Sequence, residues 1–157
     1  MVHVQIVYFS SLERRTRELA LTSMKQIEKK TFAEFFDLDA ELKKRNTITL
    51  CALQNDADTT PEVRGYLVYC RMKRVLLLHK ICVAESHRRN GIARQMLQQL
   101  LDDVKGQGCS YVQLWVDEAR EAARSLYASF GFTEVQRMED YYSPGRTGLK
   151  MILNLED

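Results

Sequence analysis

The stretch with the most chemical content runs Ile81-Cys-Val-Ala-Glu-Ser-His-Arg-Arg-Asn-Gly-Ile-Ala93. An apolar, strand-like run enters a basic turn, and the turn opens directly into an amphipathic helix. Gly91 lets the backbone take torsions that a side chain forbids and lets it approach a ligand closely. Ala93 is small for the same reason. The unpaired amides of a helix N-terminus point outward with a partial positive charge, and a phosphate docks there readily. His87, Arg88 and Arg89 add positive charge at the same point. The segment suits an anionic, polyphosphate-bearing group; without a ligand it is only a basic helix N-terminus. It has no Gly-Lys-Ser or Gly-Lys-Thr ending, so it is not a nucleoside-triphosphate loop. One glycine instead of three excludes the dinucleotide fingerprint.

The elements that must hold this turn are legible on both sides of it. Val2 to Phe9 alternates as a first strand, and Ser10 or Ser11 is placed to cap the helix that follows. From Leu12 to about Phe32 the apolar Leu12, Leu19, Met24 and Ile27 recur at helical spacing. Residues 37–45 predict a short helix, and Thr47 to Gln54 a strand. Asn55 to Pro61 is a polar turn. Glu62 to Arg71 and Val75 to Val83 are strands rich in Val, Leu, Ile and Tyr. The helix from Gly91 to Lys105 puts Ile92, Met96, Leu97, Leu100, Leu101 and Val104 on one face, and the glycines at 106 and 108 end it. Tyr111 to Val116 is a strand, Glu121 to Phe130 a helix closed by Gly131, and Phe132 to Tyr141 and Leu149 to Leu155 are the last strands. Neighbouring strands predict antiparallel hairpins, while the strand–helix–strand unit over 75–116 predicts a parallel, right-handed crossover. The expected class is therefore α/β or α+β with a mixed sheet.

Composition narrows the function classes. A chain of 157 residues with 45% hydrophobic and 28% charged residues is ordinary for one soluble globular domain, here residues 1–157. A net charge of +2 is too mild to argue for nucleic acid. No apolar run spans a bilayer, and the N-terminal residues lack a signal-peptide pattern, so the expected address is the cytoplasm. Cys51, Cys70, Cys82 and Cys109 show no paired spacing, which argues for reduced thiols and against a metal site.

The run Arg88-Arg-Asn-Gly91-Ile-Ala93 resembles the pyrophosphate loop of the GNAT acetyltransferases. Ala122-Ala-Arg-Ser-Leu-Tyr127-Ala-Ser-Phe-Gly131-Phe132 is similar to that family's Leu-Tyr-x-x-x-Gly-Phe element. Asp140-Tyr141-Tyr142-Ser-Pro-Gly-Arg146 and the strand through Met151 resemble the tail of its protein N-terminal acetyltransferases, the ribosomal-protein alanine type and its eukaryotic relatives. The likeness covers residues 62–155 well and the N-terminal third only in its strand–helix–helix pattern. It implies a GNAT fold, a mostly antiparallel seven-stranded sheet flanked by about four helices around a β-α-β acetyl-CoA core. It implies an N-acetyltransferase with acetyl-CoA as co-substrate and no metal, and as acceptor a protein or peptide N-terminus or a small amine.

Residue by residue, the likeness places the acetyl carbonyl and pantetheine on the backbone of Ile81, Cys82 and Val83. It places the pyrophosphate on Arg88, Arg89, Asn90, Gly91, Ile92 and Ala93, with Arg94 at the rim. Tyr127 takes the role of the acid that protonates the departing thiolate; a phenol is protonated at neutral pH. The usual positions of the base are occupied by Trp115 and Leu77, neither of which takes a proton. His79 lies two residues from Leu77 on the same strand face and is the best substitute. Asp117 and Glu118 are weaker candidates, each expected as a solvated turn or capping residue. Glu34, Trp115 and Tyr142 are the expected acceptor contacts, with Tyr141 as an alternative to Tyr142; alternation puts the two tyrosines on opposite strand faces, so one can be core and the other functional. Arg120 stands where relatives often carry an Asn. These departures keep two rival expectations open: a polyamine or amino-sugar acetyltransferase, and an acyl-CoA-binding module without catalysis.

Overall fold

The computed structural model describes residues 3–31, 38–54 and 60–155. In chain order the elements are β1 (Gln5–Tyr8), α1 (Arg14–Thr31), α2 (Leu38–Lys43), β2 (Thr47–Gln54), β3 (Glu62–Met72) and β4 (Val75–Val83). After them come α3 (Ile92–Val104), β5 (Tyr111–Asp117), α4 (Glu121–Ser129), β6 (Thr133–Ser143) and β7 (Arg146–Asn154). The seven strands form one sheet in the order β1-β2-β3-β4-β5-β7-β6. β4 and β5 are parallel neighbours, whereas β1–β2, β5–β7 and β6–β7 are antiparallel. The mixed α/β architecture is therefore the expected one.

The chain folds as two compact units, residues 1–69 with 80–103, and residues 70–79 with 104–157. In the first unit α1 buries Ala20, Met24 and Ile27 at helical spacing against Cys51, Leu53, Tyr66, Val68 and Cys82. Leu19, expected on that face, is 40% exposed instead. The helix starts two residues later than expected. Phe9–Ser11 forms a 3₁₀ turn in which Ser11 Oγ donates to Tyr8 O at 2.7 Å, so the serine closes that turn and does not cap α1. The first helical bond runs from Arg17 N to Glu13 O. α3 buries Ile92, Met96, Leu97, Leu100 and Val104. A Cβ on Gly65 would stand 3.0 Å from Cys82 O and 3.1 Å from Met96 Cε, so a side chain there would require β4 and α3 to give way by a few tenths of an ångström.

In the second unit Val112, Leu114 and Val116 alternate inward along β5, and Leu149 and Met151 do so along β7. β6 and β7 extend further toward each other than expected. Pro144 and Gly145 form a two-residue turn between the paired Ser143 and Arg146, and Gly145 N donates to Asp140 Oδ1 at 2.7 Å. Between the pairs Met138↔Gly148 and Ser143↔Arg146 the register shifts. Asp140 takes a left-handed φ of 56° within that shift. A bulge of this kind breaks the two-residue periodicity.

Candidate active site

The basic turn lies in the first unit. Ala84 N donates to Arg64 O at 2.8 Å, which ties the exit of β4 to β3. A 3₁₀ turn over Glu85–His87 follows, closed by His87 N donating to Ala84 O at 2.8 Å. The Arg88 guanidinium Nε reaches back to Val83 O at 3.3 Å, and Asn90 Nδ2 donates to His87 O at 3.2 Å. Arg89 and Gly91 have φ of 66° and 75°, so the chain turns sharply before α3 begins. The first bond of that helix is Gln95 N to Gly91 O at 3.0 Å, which leaves the Ile92 and Ala93 amides without a partner inside the helix. A Cβ on Gly91 would meet nothing within 4 Å. The space in front of this backbone is open, and the residues around it are those a pyrophosphate needs.

The sequence-predicted residues of this half divide by role. Cys82 and Ile92 are buried, so they offer only backbone; Ile81, Val83 and Ala93 are half-buried. Arg88, Arg89, Asn90, Gly91 and Arg94 are exposed. His87 corrects the charge assignment. Burial, then the nearby Arg64, hold its imidazole below the ordinary value of 6.5 against the opposing pull of Glu62. It is neutral at pH 7, and its Nδ1 lies 2.7 Å from Ser86 Oγ. The cationic charge of the turn therefore belongs to its arginines. Beside Arg88 a pocket of about 420 Å³ opens between α1, the start of β3 and this turn, with Gln26, Glu62, Arg64 and Glu85 in its wall. Glu34 lies outside the described residues.

The remaining candidates belong to the second unit. The β4–β5 ladder pairs Val75–Leu78 with Tyr111–Leu114 and stops before His79 and Trp115. His79 is exposed at that end. Trp115 stacks on Tyr141 with ring centroids 4.2 Å apart and planes 10° from parallel. Tyr142 meets Tyr141 edge-on at 4.9 Å, and the Arg146 guanidinium sits 5.2 Å above the Tyr142 ring. A Cβ on Gly148 would be 2.7 Å from the Tyr141 ring, so the stack needs a glycine there. Strict alternation would have put the two tyrosines on opposite faces; the bulge instead lets their rings touch. Tyr141, 39% exposed, joins Tyr142 and Trp115 in one cluster, a contact that sequence alternation does not reveal.

Asp117 is also corrected. It holds the turn before α4, as expected, but is not solvated: it is 9% exposed and accepts from Ala119 N at 3.0 Å and from Arg146 Nε at 2.9 Å. Burial pushes its carboxyl up, but the Ala119 amide and Arg146 outweigh that and hold it below the usual carboxylate range. A carboxylate so held is a poor base. Glu118 pairs with Arg137. Arg120 occupies the N-cap position of α4 with no side-chain capping bond. Tyr127 lies in the last turn of α4, 6% exposed, its ring 5.7 Å from that of Phe132. Among the described residues no cluster of His, Cys, Asp or Glu is arranged to hold a metal ion.

The profile of the Acetyltransferase (GNAT) family matches residues 13–132. The chain is similar to N-alpha-acetyltransferase 30 of Saccharomyces cerevisiae, 27% identical over an alignment of 116 residues, with 70% of this chain and 65% of the yeast protein covered. It is similar to the aminoglycoside N(6')-acetyltransferase type 1 of Serratia marcescens, 34% identical over 48% of this chain and 52% of that one. Less than two-thirds of either relative's length is matched. The crystal structure of the ribosomal-protein-S18-alanine N-acetyltransferase from Escherichia coli shares the fold, with a TM-score of 0.78, 21% identity and coverage of 98% of this chain and 96% of that one.

Proposed function

Because the chain belongs to the GNAT family of acetyltransferases, we propose that it transfers acetyl from acetyl-CoA to a primary amine, the N-terminal α-amine of a protein or peptide. The observation that carries the donor half is the turn before α3: a glycine with φ of 75°, open space before it and outward amides flanked by arginines. Arg88, Arg89, Asn90, Gly91, Ile92, Ala93 and Arg94 would hold the pyrophosphate, chiefly through backbone amides. Bound acetyl-CoA supplies an activated thioester. The amides of Ile81, Cys82 and Val83 are the donors available to its acyl and pantetheine carbonyls, and the Val83 amide would favour negative charge on the acyl oxygen.

Proton handling falls to side chains of this chain. Tyr127 is assigned as the acid toward sulfur, and His79, exposed where the β4–β5 ladder ends, as the group that takes the ammonium proton. Asp117 is unsuited to that task because Arg146 and the Ala119 amide stabilise its ionised form. The acceptor reading rests on the Trp115–Tyr141–Tyr142 cluster, whose rings give a flat apolar wall with hydroxyls that can bond a peptide backbone. Glu34 remains an acceptor contact on the resemblance alone.

The similarity to an aminoglycoside acetyltransferase favours a second reading, a small-amine acceptor. Free-thiol release from acetyl-CoA with N-terminal peptides, a polyamine and an aminoglycoside separates the two. Turnover confined to peptides with an unblocked α-amine supports the first reading. Turnover only on the polyamine or aminoglycoside supports the second, and CoA binding without turnover on any acceptor supports a binding module. In the enzyme, Tyr127→Phe is expected to lower kcat about 100-fold while CoA affinity holds.

A further inference from the structure

Glu28, in the last turn of α1, is a carboxylate that none of the chemistry above uses. It is 7% exposed and bonds two partners from two strands. Its Oε1 lies 2.5 Å from Lys80 Nζ of β4, and its Oε2 accepts a hydrogen bond from the Tyr66 hydroxyl of β3. The Lys80 side chain is only 13% exposed and Tyr66 is wholly buried. Burial first, then the neighbouring Cys82 and Glu28, push the Tyr66 phenol far above its ordinary range, so the hydroxyl stays a donor. Lys80 and Cys82 point to one face of β4 because they are two residues apart. Both are fixed from that face, one by Glu28 and the other by the core packing around Tyr66. The peptide units around Ile81 therefore lie between two anchored side chains.

A buried Lys–Glu pair is a poor device for stability alone. Desolvating both charges offsets much of their attraction, and apolar residues of similar volume often serve as well. What the pair gives that apolar packing does not is a directional link of fixed length. We propose that Glu28, Lys80 and Tyr66 form a positioning network. It ties the C-terminal turn of α1 to β4 and sets the backbone of Ile81–Val83 for the thioester. The proposal rests on the acetyltransferase reading and deepens it: the donor backbone would be held in place by one carboxylate.

The test replaces the network by apolar residues of similar size, Glu28→Met with Lys80→Met and Tyr66→Phe, and follows folding, CoA affinity and steady-state kinetics on the best peptide acceptor. The expected result is a folded protein with kcat at least tenfold lower, and with acceptor KM and CoA affinity within threefold of wild type. Lys80→Arg, which keeps a cation against Glu28, should keep most of the turnover. A folded triple variant with wild-type kcat overturns the proposal while leaving the acetyltransferase reading intact. A wild-type protein that turns over no acceptor overturns both. Should the triple variant not fold, Tyr66→Phe alone removes one hydroxyl; a severalfold lower kcat at unchanged melting temperature supports the network, and unchanged kinetics overturn it.

Discussion

Gly91 has a φ of 75° and no neighbour where a side chain would stand. A non-glycine residue in that conformation costs about 1–2 kcal/mol, and its side chain would fill the space expected to hold a pyrophosphate. Gly91→Val should therefore weaken CoA binding roughly tenfold, about 1.4 kcal/mol, with only a modest drop in melting temperature. Titration calorimetry with CoA checks this, and unchanged affinity would remove Gly91 from the site. Asp117 makes a prediction of a different kind. Its carboxyl is held below the ordinary value of 3.8 by the Ala119 amide and Arg146, against burial. A depressed folded value gives stability that is fully present above the unfolded value and is lost as pH falls through the folded one. Asp117→Asn should cost about 2 kcal/mol at pH 7, and the gap to wild type should shrink as pH is taken from 7 to below 3.8. Urea unfolding at both ends of that range decides it, since a gap of constant size would mean the charge is not what matters.

At the scale of elements, the β6–β7 hairpin depends on Gly148, because a Cβ there collides with the Tyr141 ring at 2.7 Å. Gly148→Ala should push Tyr141 off Trp115. Trp115 is the only tryptophan, so its emission reports the change directly. Red-shifted emission and a severalfold higher peptide KM, at unchanged CoA affinity, are the expected outcome; unchanged emission would show that the stack tolerates the methyl. Gly65→Ala tests the opposite side of the donor segment. Its Cβ meets the Cys82 carbonyl, which is backbone and gives way only with its strand, so a loss of about 1–3 kcal/mol is expected in thermal unfolding. The order of the elements and the turn before α3 were legible because periodicity and a strand–turn–helix junction are local signals. The contact of Tyr141 with Tyr142 was not, because a bulge such as the one holding Asp140 cannot be read from alternation. Glu28 was hidden for a similar reason: in a lysine-rich helix a carboxylate reads as solvated until β3 and β4 are known to supply Tyr66 and Lys80. Asp117 and His87 were misjudged because burial and the partners Arg146 and Arg64 are set by distant parts of the chain.

At the scale of the whole molecule, the two compact units are not two segments of sequence. β3 passes from the first unit to the second at Tyr69, and β4 passes back at His79. Neither unit owns all of either strand, so an unfolding unit would take part of a strand that the other unit also uses. Residues 1–157 should therefore melt as one domain, with equal calorimetric and van't Hoff enthalpies of about 110 kcal/mol at about 0.7 kcal/mol per residue. CoA provides the sharper test. The residues expected to hold its pyrophosphate lie in the first unit and Trp115 lies in the second. A ligand at about 100 times its dissociation constant adds about 2.7 kcal/mol to whatever unfolds with its site, which shifts a domain of this size by about 5–10 °C. If the chain is one cooperative domain, CoA must raise the melting temperature seen by Trp115 fluorescence as much as that seen by far-ultraviolet dichroism. A shift in the dichroism alone would divide the chain into two thermodynamic units and would confine the donor site to one of them.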